Sequence, residues 1–235
     1  MNLNPSLIKA VVWDWNGTLL DDVHTCVESI NMMLRQRQLH ELDYDSYRSV
    51  FGFPVKDYYE RAGFDFSIEP FDGMAIEFID LYRERLPFSL LFDEVEPTLK
   101  ILKKQGYRQF ILSAMEQQML ETSLTDKGIF SYFDLVAGTT DHYANGKDLV
   151  AKRLSGKIGL PAHHILLIGD TVHDHEVAAE LGWQCVLIPN GHQDEGRLRS
   201  TGRIVYGSLS QIAAMLDGYS ESNHPAIINI LDILL

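Results

Sequence analysis

Short, continuous apolar runs that alternate with helical patterns constrain the fold of this chain more than any other feature. Six runs rich in Val, Ile and Leu end abruptly in polar or glycine-containing turns, at 8–13, 109–112, 134–137, 165–168, 185–188 and, more weakly, 204–206. Strands without polar alternation are typical of a parallel sheet that helices cover on both faces. The sequence therefore predicts an α/β fold with a doubly wound parallel sheet.

One long interval lacks convincing strands. Between residues 21 and 92 the pattern changes to amphipathic stretches with helical periodicity. These stretches lie at 23–38, 46–62 and 71–86, separated by breakers such as Gly52-Phe53-Pro54 and Gly63. We expect an α-helical cap domain over 21–92, inserted between core segments 1–20 and 93–220, with a C-terminal tail over 221–235.

Charge and cysteine content exclude several classes of protein. The 235 residues carry 20 Lys and Arg against 33 Asp and Glu, a formal net charge of −13. This balance argues against nucleic-acid and anionic-membrane binding, because both use basic patches. Cys26 and Cys185 are too few for a disulfide framework, which favours a reducing compartment.

The two ends of the chain bear on localisation and assembly. No apolar run approaches the length of a bilayer span, and the N-terminal stretch lacks a cleavage site. We therefore expect a cytoplasmic protein. The apolar end 225–235 fits a terminal helix packed on the core or a dimer contact, so monomer and homodimer both stay open.

Reactive side chains follow the predicted strands where those strands end. They are Asp14, Ser113, Asp170 and Asp174, with Lys147 at the start of a predicted helix. Ligands of open parallel sheets bind outside the carboxyl ends of the strands, so these groups should meet at one edge. Carboxylates gathered there repel one another unless a hard cation such as Mg²⁺ binds them. Metal-assisted phosphoryl transfer uses this set of groups.

Four segments resemble the motifs of the haloacid dehalogenase (HAD) superfamily. In order they are VVWDWNGTLLDD, ILSAMEQQ, NGKDLVAKRL and IGDTVHDHEVAAELG, and VFGFPVKDYYERAGFD resembles a stretch of the family's small helical caps. Order and separations agree across nearly the whole chain, and the pattern is most similar to phosphoglycolate phosphatase-like members. The resemblance implies a HAD-type Rossmann-like core and a Mg²⁺-dependent phosphohydrolase. Its expected substrate is a small phosphorylated metabolite, hydrolysed through an aspartyl-phosphate intermediate.

The resemblance also implies a role for each matching residue. Asp14 is the expected nucleophile, and Asp14, Asn16 and Lys147 form the expected catalytic set. The expected Mg²⁺ ligands are Asp14, the backbone carbonyl of Asn16, Asp170 and Asp174, the last as a ligand or an outer partner. The expected phosphate-binding set is Ser113, the amide of Ala114 and Lys147, with Thr18 supporting the nucleophile loop.

Asn16 departs from the phosphatase pattern, which has an acid–base Asp at this position. A carboxamide cannot exchange a proton at neutral pH. General acid–base assistance is typically worth ~10²–10⁴ in rate. Three explanations stay open: a substrate with a good leaving group such as an acyl phosphate, a substitute base, for which His173 is a distant candidate, or loss of turnover.

Two rival functions follow from the same departure. A phosphonate C–P hydrolase would use a cap lysine as a Schiff base, and Lys56 is the lysine to test. A phosphate-ligand binding or regulatory protein would have kept the fold without turnover. Metal-free dehalogenases fit less well, because Asp170 and Asp174 form an acidic pair.

Several further side chains carry expectations about packing. We expect Trp13 in the core and Trp15 near the cap interface and the leaving group. The aromatic residues Phe51, Phe53, Tyr58 and Tyr59 line an apolar pocket or simply pack the cap. His173 and His175 are expected as exposed helix residues, and His192 as a structural hydrogen-bonding residue.

Overall fold

Strands and helices alternate along the core, as the apolar runs predict. The computed structural model describes residues 3–140 and 147–218. The strands are β1 (Ala10–Trp13), β2 (Leu20–Asp21), β3 (Leu90–Leu91), β4 (Arg108–Glu116), β5 (Leu135–Thr139), β6 (Ile165–Gly169), β7 (Gln184–Leu187) and β8 (Ile204–Val205). The α-helices are α1 (Val23–Gln36), α2 (Tyr44–Val50), α3 (Val55–Ala62), α4 (Phe71–Arg85), α5 (Val95–Lys104), α6 (Gln117–Asp126), α7 (Lys147–Ile158), α8 (Val172–Leu181), α9 (Glu195–Ser200) and α10 (Leu209–Asp217).

Six of these strands form one parallel sheet in the order β5-β4-β1-β6-β7-β8. β1 lies between β4 and β6, with Val12 opposite Phe110 on one side and Leu167 on the other. Ligand sites of such sheets lie where the strand order reverses, and here that place is the end of β1. The predicted doubly wound α/β class is confirmed.

The two faces of the sheet bury separate apolar clusters, which explains why the strands read as continuous apolar runs. Val11 and Trp13 of β1 pack in the cluster with α1, α5 and α10. Ala10 and Val12 face the opposite way and pack with α7, α8 and α9. Because both faces of β1 are covered, none of its residues alternates with a polar one. Trp13 lies in the core, as expected.

The inserted segment 21–92, called the cap below, contains α1 to α4 and one short strand. Leu20 and Asp21 of β2 pair antiparallel with Leu91 and Leu90 of β3, where the chain leaves and re-enters the core. The expectation that this interval holds no strand is therefore wrong. Two residues are too few to show a period of two, so the pairing left no signal in the sequence.

Two arginines connect the cap to the core by donating to backbone carbonyls across the boundary. Arg48 of α2 donates to the carbonyls of Pro189, Gly191 and Gln193, at 2.5–2.8 Å. Arg197 of α9 donates in the other direction, to the carbonyls of residues 48, 49 and 51 at 2.5–3.2 Å. This reciprocal pattern holds α2 against the loop that precedes α9.

Two expectations about the chain as a whole concern the membrane and the tail. Within the described residues, no helix is long and apolar enough to span a bilayer. The tail 221–235, expected to pack on the core or to form a dimer contact, lies outside those residues.

We predict that Arg197→Ala lowers the free energy of unfolding by about 1–3 kcal/mol, because hydrogen bonds from a charged donor are lost. The matched control is Arg199→Ala on the same helix, where an exposed ion pair with Glu195 should be worth less than about 1 kcal/mol. Urea unfolding of both variants measures the difference. Equal effects would show that the bonds across the boundary do not stabilise the fold.

Candidate active site

The loop after β1 fixes Asp14 at the carboxyl edge of the sheet. The amide of Asp14 donates to the carbonyl of Ile168 at 2.9 Å, so the ladder with β6 extends to this residue. The chain then turns back at Gly17, which has a φ of +69° and whose amide donates to the carbonyl of Leu20. A Cβ at residue 17 would lie 2.3 Å from Asp170 Oδ2, so only glycine allows this approach.

Three buried carboxylates from two distant stretches of sequence meet at this edge. Carboxylate oxygens of Asp14, Asp170 and Asp174 lie within 4.8 Å of one another, and each residue is at most 5% exposed. The hydroxyl of Thr18 lies 3.2 Å from Asp14 Oδ2 and 3.3 Å from Asp170 Oδ1. Thr18 therefore bridges the first carboxylate to the second. The backbone amide of His192 donates to Asp170 Oδ2 at 2.6 Å.

The buried ammonium of Lys147 compensates part of this negative charge. Its Nζ donates to Asp14 Oδ1 at 2.5 Å and to Asp174 Oδ1 at 2.7 Å. The other oxygen of Asp174 accepts from the amide and hydroxyl of Thr171, at the start of α8. Asp174 thus holds Lys147 on one side and caps a helix on the other.

The protonation of the cluster reflects burial and two nearby basic groups, Lys147 and His192. Burial raises the pKa of Asp14 well above its usual value, against the attraction of Lys147. Burial also raises the pKa of Asp170, to about 6. The pKa of Lys147 is raised, because Asp14 and Asp174 outweigh the opposing effect of burial. One ammonium against three carboxylates leaves a site whose oxygen donors fit a hard divalent cation.

Ser113 and Ala114 lie within β4 and not beyond its end. The predicted end at residue 112 is wrong, because the strand continues to Glu116 with a register shift against β5. The apolar run stops at the first polar residue although the backbone stays extended, so the run alone misplaced the end. Ser113 Oγ accepts from the amide of Met115 and lies 3.4 Å from Asn16 Oδ1.

The Asn16 side chain is held by two residues that the sequence analysis did not single out. Its Nδ2 donates to Asp22 Oδ2 at 2.7 Å and to the hydroxyl of Tyr82 at 2.8 Å. Tyr82 in turn donates to Asp22 at 2.8 Å. The adjacent acidic residues Asp21 and Asp22 at the end of the first motif were an available signal. Tyr82, on α4 in the cap, had none.

Asp22 and His192 form a buried pair beside Asn16. His192 Nε2 lies 3.3 Å from Asp22 Oδ1, and its Nδ1 lies 2.9 Å from the hydroxyl of Tyr47. Burial opposes the charge of both groups. The attraction of Asp22 nevertheless raises the pKa of His192 to about 9, and His192 with its hydrogen bond lowers the pKa of Asp22. Cys26 Sγ approaches Asp22 at 3.7 Å, so this second cluster has carboxylate, imidazole and thiol groups.

Comparison with known proteins identifies the family. Residues 11–188 match the family model of haloacid dehalogenase-like hydrolases. This chain belongs to that family. The prediction of a HAD-like hydrolase of the phosphatase type is therefore confirmed at the level of family and enzyme class.

Similar proteins span more than one substrate. A phosphoglycolate phosphatase from Nitrosospira multiformis is 26% identical over 200 residues, covering 82% of this chain and 88% of the relative. A 5'-nucleotidase from Pseudomonas aeruginosa is 24% identical over 197 residues, covering 81% of this chain and 86% of the relative. The solved structure of a haloacid dehalogenase-like hydrolase from Streptococcus pneumoniae superposes with a TM-score of 0.78 at 18% identity. The superposition covers 89% of this chain and 98% of the solved chain. That last likeness supports the fold alone.

A cavity between cap and core opens onto the carboxylate cluster of this HAD-like hydrolase. Its volume is about 160 Å³, and Asp14, Asn16, Lys147 and Asp170 line its core side. Phe51, Phe53, Tyr58 and Tyr59 line the cap side and also pack against one another. The two expectations for these aromatic residues, pocket lining and cap packing, therefore both hold. Trp15 is fully buried and does not line the cavity.

Three other residues lie apart from this cavity. Lys56 is exposed on α3, with its ammonium 5.3 Å from the centre of the Phe66 ring, and is not among the residues that line the cavity. His173 and His175 are half-buried, so the expectation of exposed residues is wrong. His173 packs on the Phe53 ring, and His175 accepts from Arg203 at 2.8 Å. Both contacts join residues that are far apart in the sequence, Phe53 in the cap and Arg203 between α9 and β8. The periodicity of the sequence around His173 and His175 therefore could not predict them.

We predict that Lys147→Met lowers the free energy of unfolding by about 3–5 kcal/mol without added divalent cations, because Asp14 and Asp174 lose their buried counter-charge. The matched control on the same helix is Lys152→Met, which removes an exposed pair with Glu180 worth about 1 kcal/mol or less. Urea unfolding in the presence of a chelator measures both losses. A Lys147→Met loss no larger than the control would contradict the assigned charge balance.

Proposed function

We propose that this hydrolase is a Mg²⁺-dependent phosphatase of small phosphorylated metabolites that acts through a phosphorylated Asp14. One observation carries the proposal: Asp14, at the end of the central strand, contacts Lys147 at 2.5 Å and shares the Thr18 hydroxyl with Asp170. The names of its relatives support a phosphate ester as substrate. Because those names include a phosphoglycolate phosphatase and a 5'-nucleotidase, they support the class and not one compound.

The proposed chemistry begins with attack of an Asp14 oxygen on phosphorus. The bond between phosphorus and the ester oxygen breaks as the Asp14–phosphorus bond forms, and water then releases phosphate from Asp14. Lys147, fixed by Asp174, offsets the negative charge around Asp14. Ser113 and the amide of Ala114, beside Asn16 and the cavity, are the proposed donors to the phosphoryl oxygens.

The donor set fits a divalent metal, which HAD phosphatases generally use. The carboxylates of Asp14 and Asp170 would hold Mg²⁺ together with the backbone carbonyl of Asn16. When bound, Mg²⁺ supplies positive charge that offsets the negative charge of the phosphoryl group. Asp174 accepts from Lys147 at 2.7 Å on one oxygen and from the amide and hydroxyl of Thr171 at 3.1 and 2.7 Å on the other. One oxygen each of Asp14 and Asp170 has only the longer contact with the shared Thr18 hydroxyl, at 3.2 and 3.3 Å, so these two carboxylates are the better ligands and Asp174 the outer partner.

Asn16 limits the substrates that this mechanism handles well. Its amide donates to Asp22 and Tyr82 and cannot give a proton to the departing oxygen. We therefore expect faster turnover of acyl and aryl phosphates than of alkyl phosphates. A phosphonate C–P hydrolase is not supported, since Lys56 lies outside the cavity. Binding without turnover is an outcome of the first test below.

We expect the protein to release phosphate from acetyl phosphate in the presence of Mg²⁺ and to stop when a chelator is added. Asp14→Asn should lower kcat by roughly 10³-fold or more, because the nucleophile is lost. The matched control is Asp80→Asn, an exposed aspartate on α4, which should leave kcat unchanged. Binding of phosphate esters without release from any of them would support the non-catalytic alternative instead.

Exchanging the two polar groups at positions 16 and 22 tests the missing acid–base group. Asn16→Asp alone would bring two buried carboxylates into contact and should lower thermal stability. The double variant Asn16→Asp/Asp22→Asn keeps one amide facing one carboxylate, so stability should recover relative to the single variant. We predict that turnover of an alkyl phosphate rises by ~10²–10⁴ in the double variant while that of acetyl phosphate changes little. An equal rise for both substrates, or none, would contradict this assignment.

A further inference from the structure

The cavity above Asp14 has two chemically different sides. The core side presents the polar groups of Asp14, Asn16 and Lys147. The opposite side is apolar and includes Phe53, Phe78 and Ile79 of the cap together with Met119 of α6. If the phosphoryl group occupies the core side, the leaving group of the substrate has to occupy the apolar side.

Among the described residues, no free cation lines the apolar side. Among the described residues that line the cavity, the basic ones are Lys147 and His192. Lys147 is paired with Asp14 and Asp174, and His192 with Asp22. A carboxylate on the leaving group would therefore be buried without a counter-charge, which proteins strongly disfavour.

The cap carries six arginines, and none of them is among the residues that line the cavity. They are Arg35, Arg37, Arg48, Arg61, Arg83 and Arg85. Arg37 is paired with Glu69 and Glu77, and Arg48 donates to carbonyls of the core. The acidic side chains of Asp22 and Glu116, in contrast, do line the cavity. The charges at this site thus select against an anionic leaving group.

The size of the cavity limits the size of the leaving group that fits. The whole cavity, which also has to hold the phosphoryl group, has a volume of about 160 Å³, close to the roughly 150 Å³ apolar cavity that takes up benzene, so one aromatic ring is the upper limit for the leaving group.

We infer that the substrates are phosphate esters whose leaving group is uncharged, mostly apolar and no larger than one aromatic ring. This inference rests on the proposed phosphatase function and narrows it. It separates this chain from enzymes for phosphoglycolate, whose leaving group carries a carboxylate.

A matched pair of substrates tests the inference. Phenyl phosphate and 4-carboxyphenyl phosphate have the same ring and ester oxygen, and the carboxylated phenol is the slightly better leaving group. We predict that kcat/KM with Mg²⁺ is at least about tenfold higher for phenyl phosphate, because only its ring enters the apolar side without an unpaired charge. Phosphoglycolate should be slower still. The small acyl group of acetyl phosphate needs little of the cavity. Its hydrolysis therefore measures phosphoryl transfer to Asp14 without a contribution from leaving-group binding.

A cation placed in the apolar side should reverse the preference. Ile79→Lys on α4 should raise kcat/KM for 4-carboxyphenyl phosphate relative to phenyl phosphate by about tenfold or more. The matched control is Ile76→Lys on the same helix, at a residue that is 50% exposed and does not line the cavity. This control should keep the preference of the unmodified protein for phenyl phosphate. Should Ile79→Lys fail to fold, Phe53→Lys places the charge from another part of the cap lining.

The outcomes separate this inference from the proposed function. Acetyl phosphate hydrolysis with equal rates for the two aryl phosphates, or with phosphoglycolate preferred, overturns the inference and leaves the phosphatase in place. An unchanged preference in a folded Ile79→Lys variant also overturns it. Absence of phosphate release from acetyl phosphate and from every ester overturns both.

Discussion

The buried contact of Lys147 with Asp14 and Asp174 is the interaction on which the rest of the site depends. Three carboxylates that are almost completely buried lie within 4.8 Å of one another, and one ammonium contacts two of them at 2.5 and 2.7 Å. Without that ammonium the burial of these groups would be strongly unfavourable. With it, an excess of negative charge remains, so the fold prepares a place for a divalent cation and, beside it, for an anionic phosphoryl group.

The fold and the meeting of the reactive residues could be predicted because both follow from the topology of a parallel sheet. Asp14 and Asp170 each follow a buried apolar strand, and neighbouring parallel strands end at the same edge. Features set by backbone or cap contacts left no such signal. The β2–β3 pairing is two residues long, and β4 continues past its apolar run to Glu116. The Asn16 contact with Tyr82 joins residues 66 apart in sequence.

Asn16 links the core chemistry to the cap. In place of a proton donor, the molecule has an amide fixed between Asp22 and Tyr82, next to the buried Asp22–His192 pair. The same region of the cap supplies an apolar cavity lining without a free cation among the described residues. Both features point to the leaving group: it has to depart with little proton transfer and has to fit an uncharged surface. Family membership shows a hydrolase. Under the proposed phosphatase function, these residues restrict the substrates.

The most direct test of the metal centre is the position of a divalent ion in crystals grown with Mn²⁺, located by its anomalous scattering. The account predicts one strong peak in contact with the carboxylates of both Asp14 and Asp170. A peak at the Asp22, Cys26 and His192 cluster instead, or no peak between Asp14 and Asp170, would contradict it.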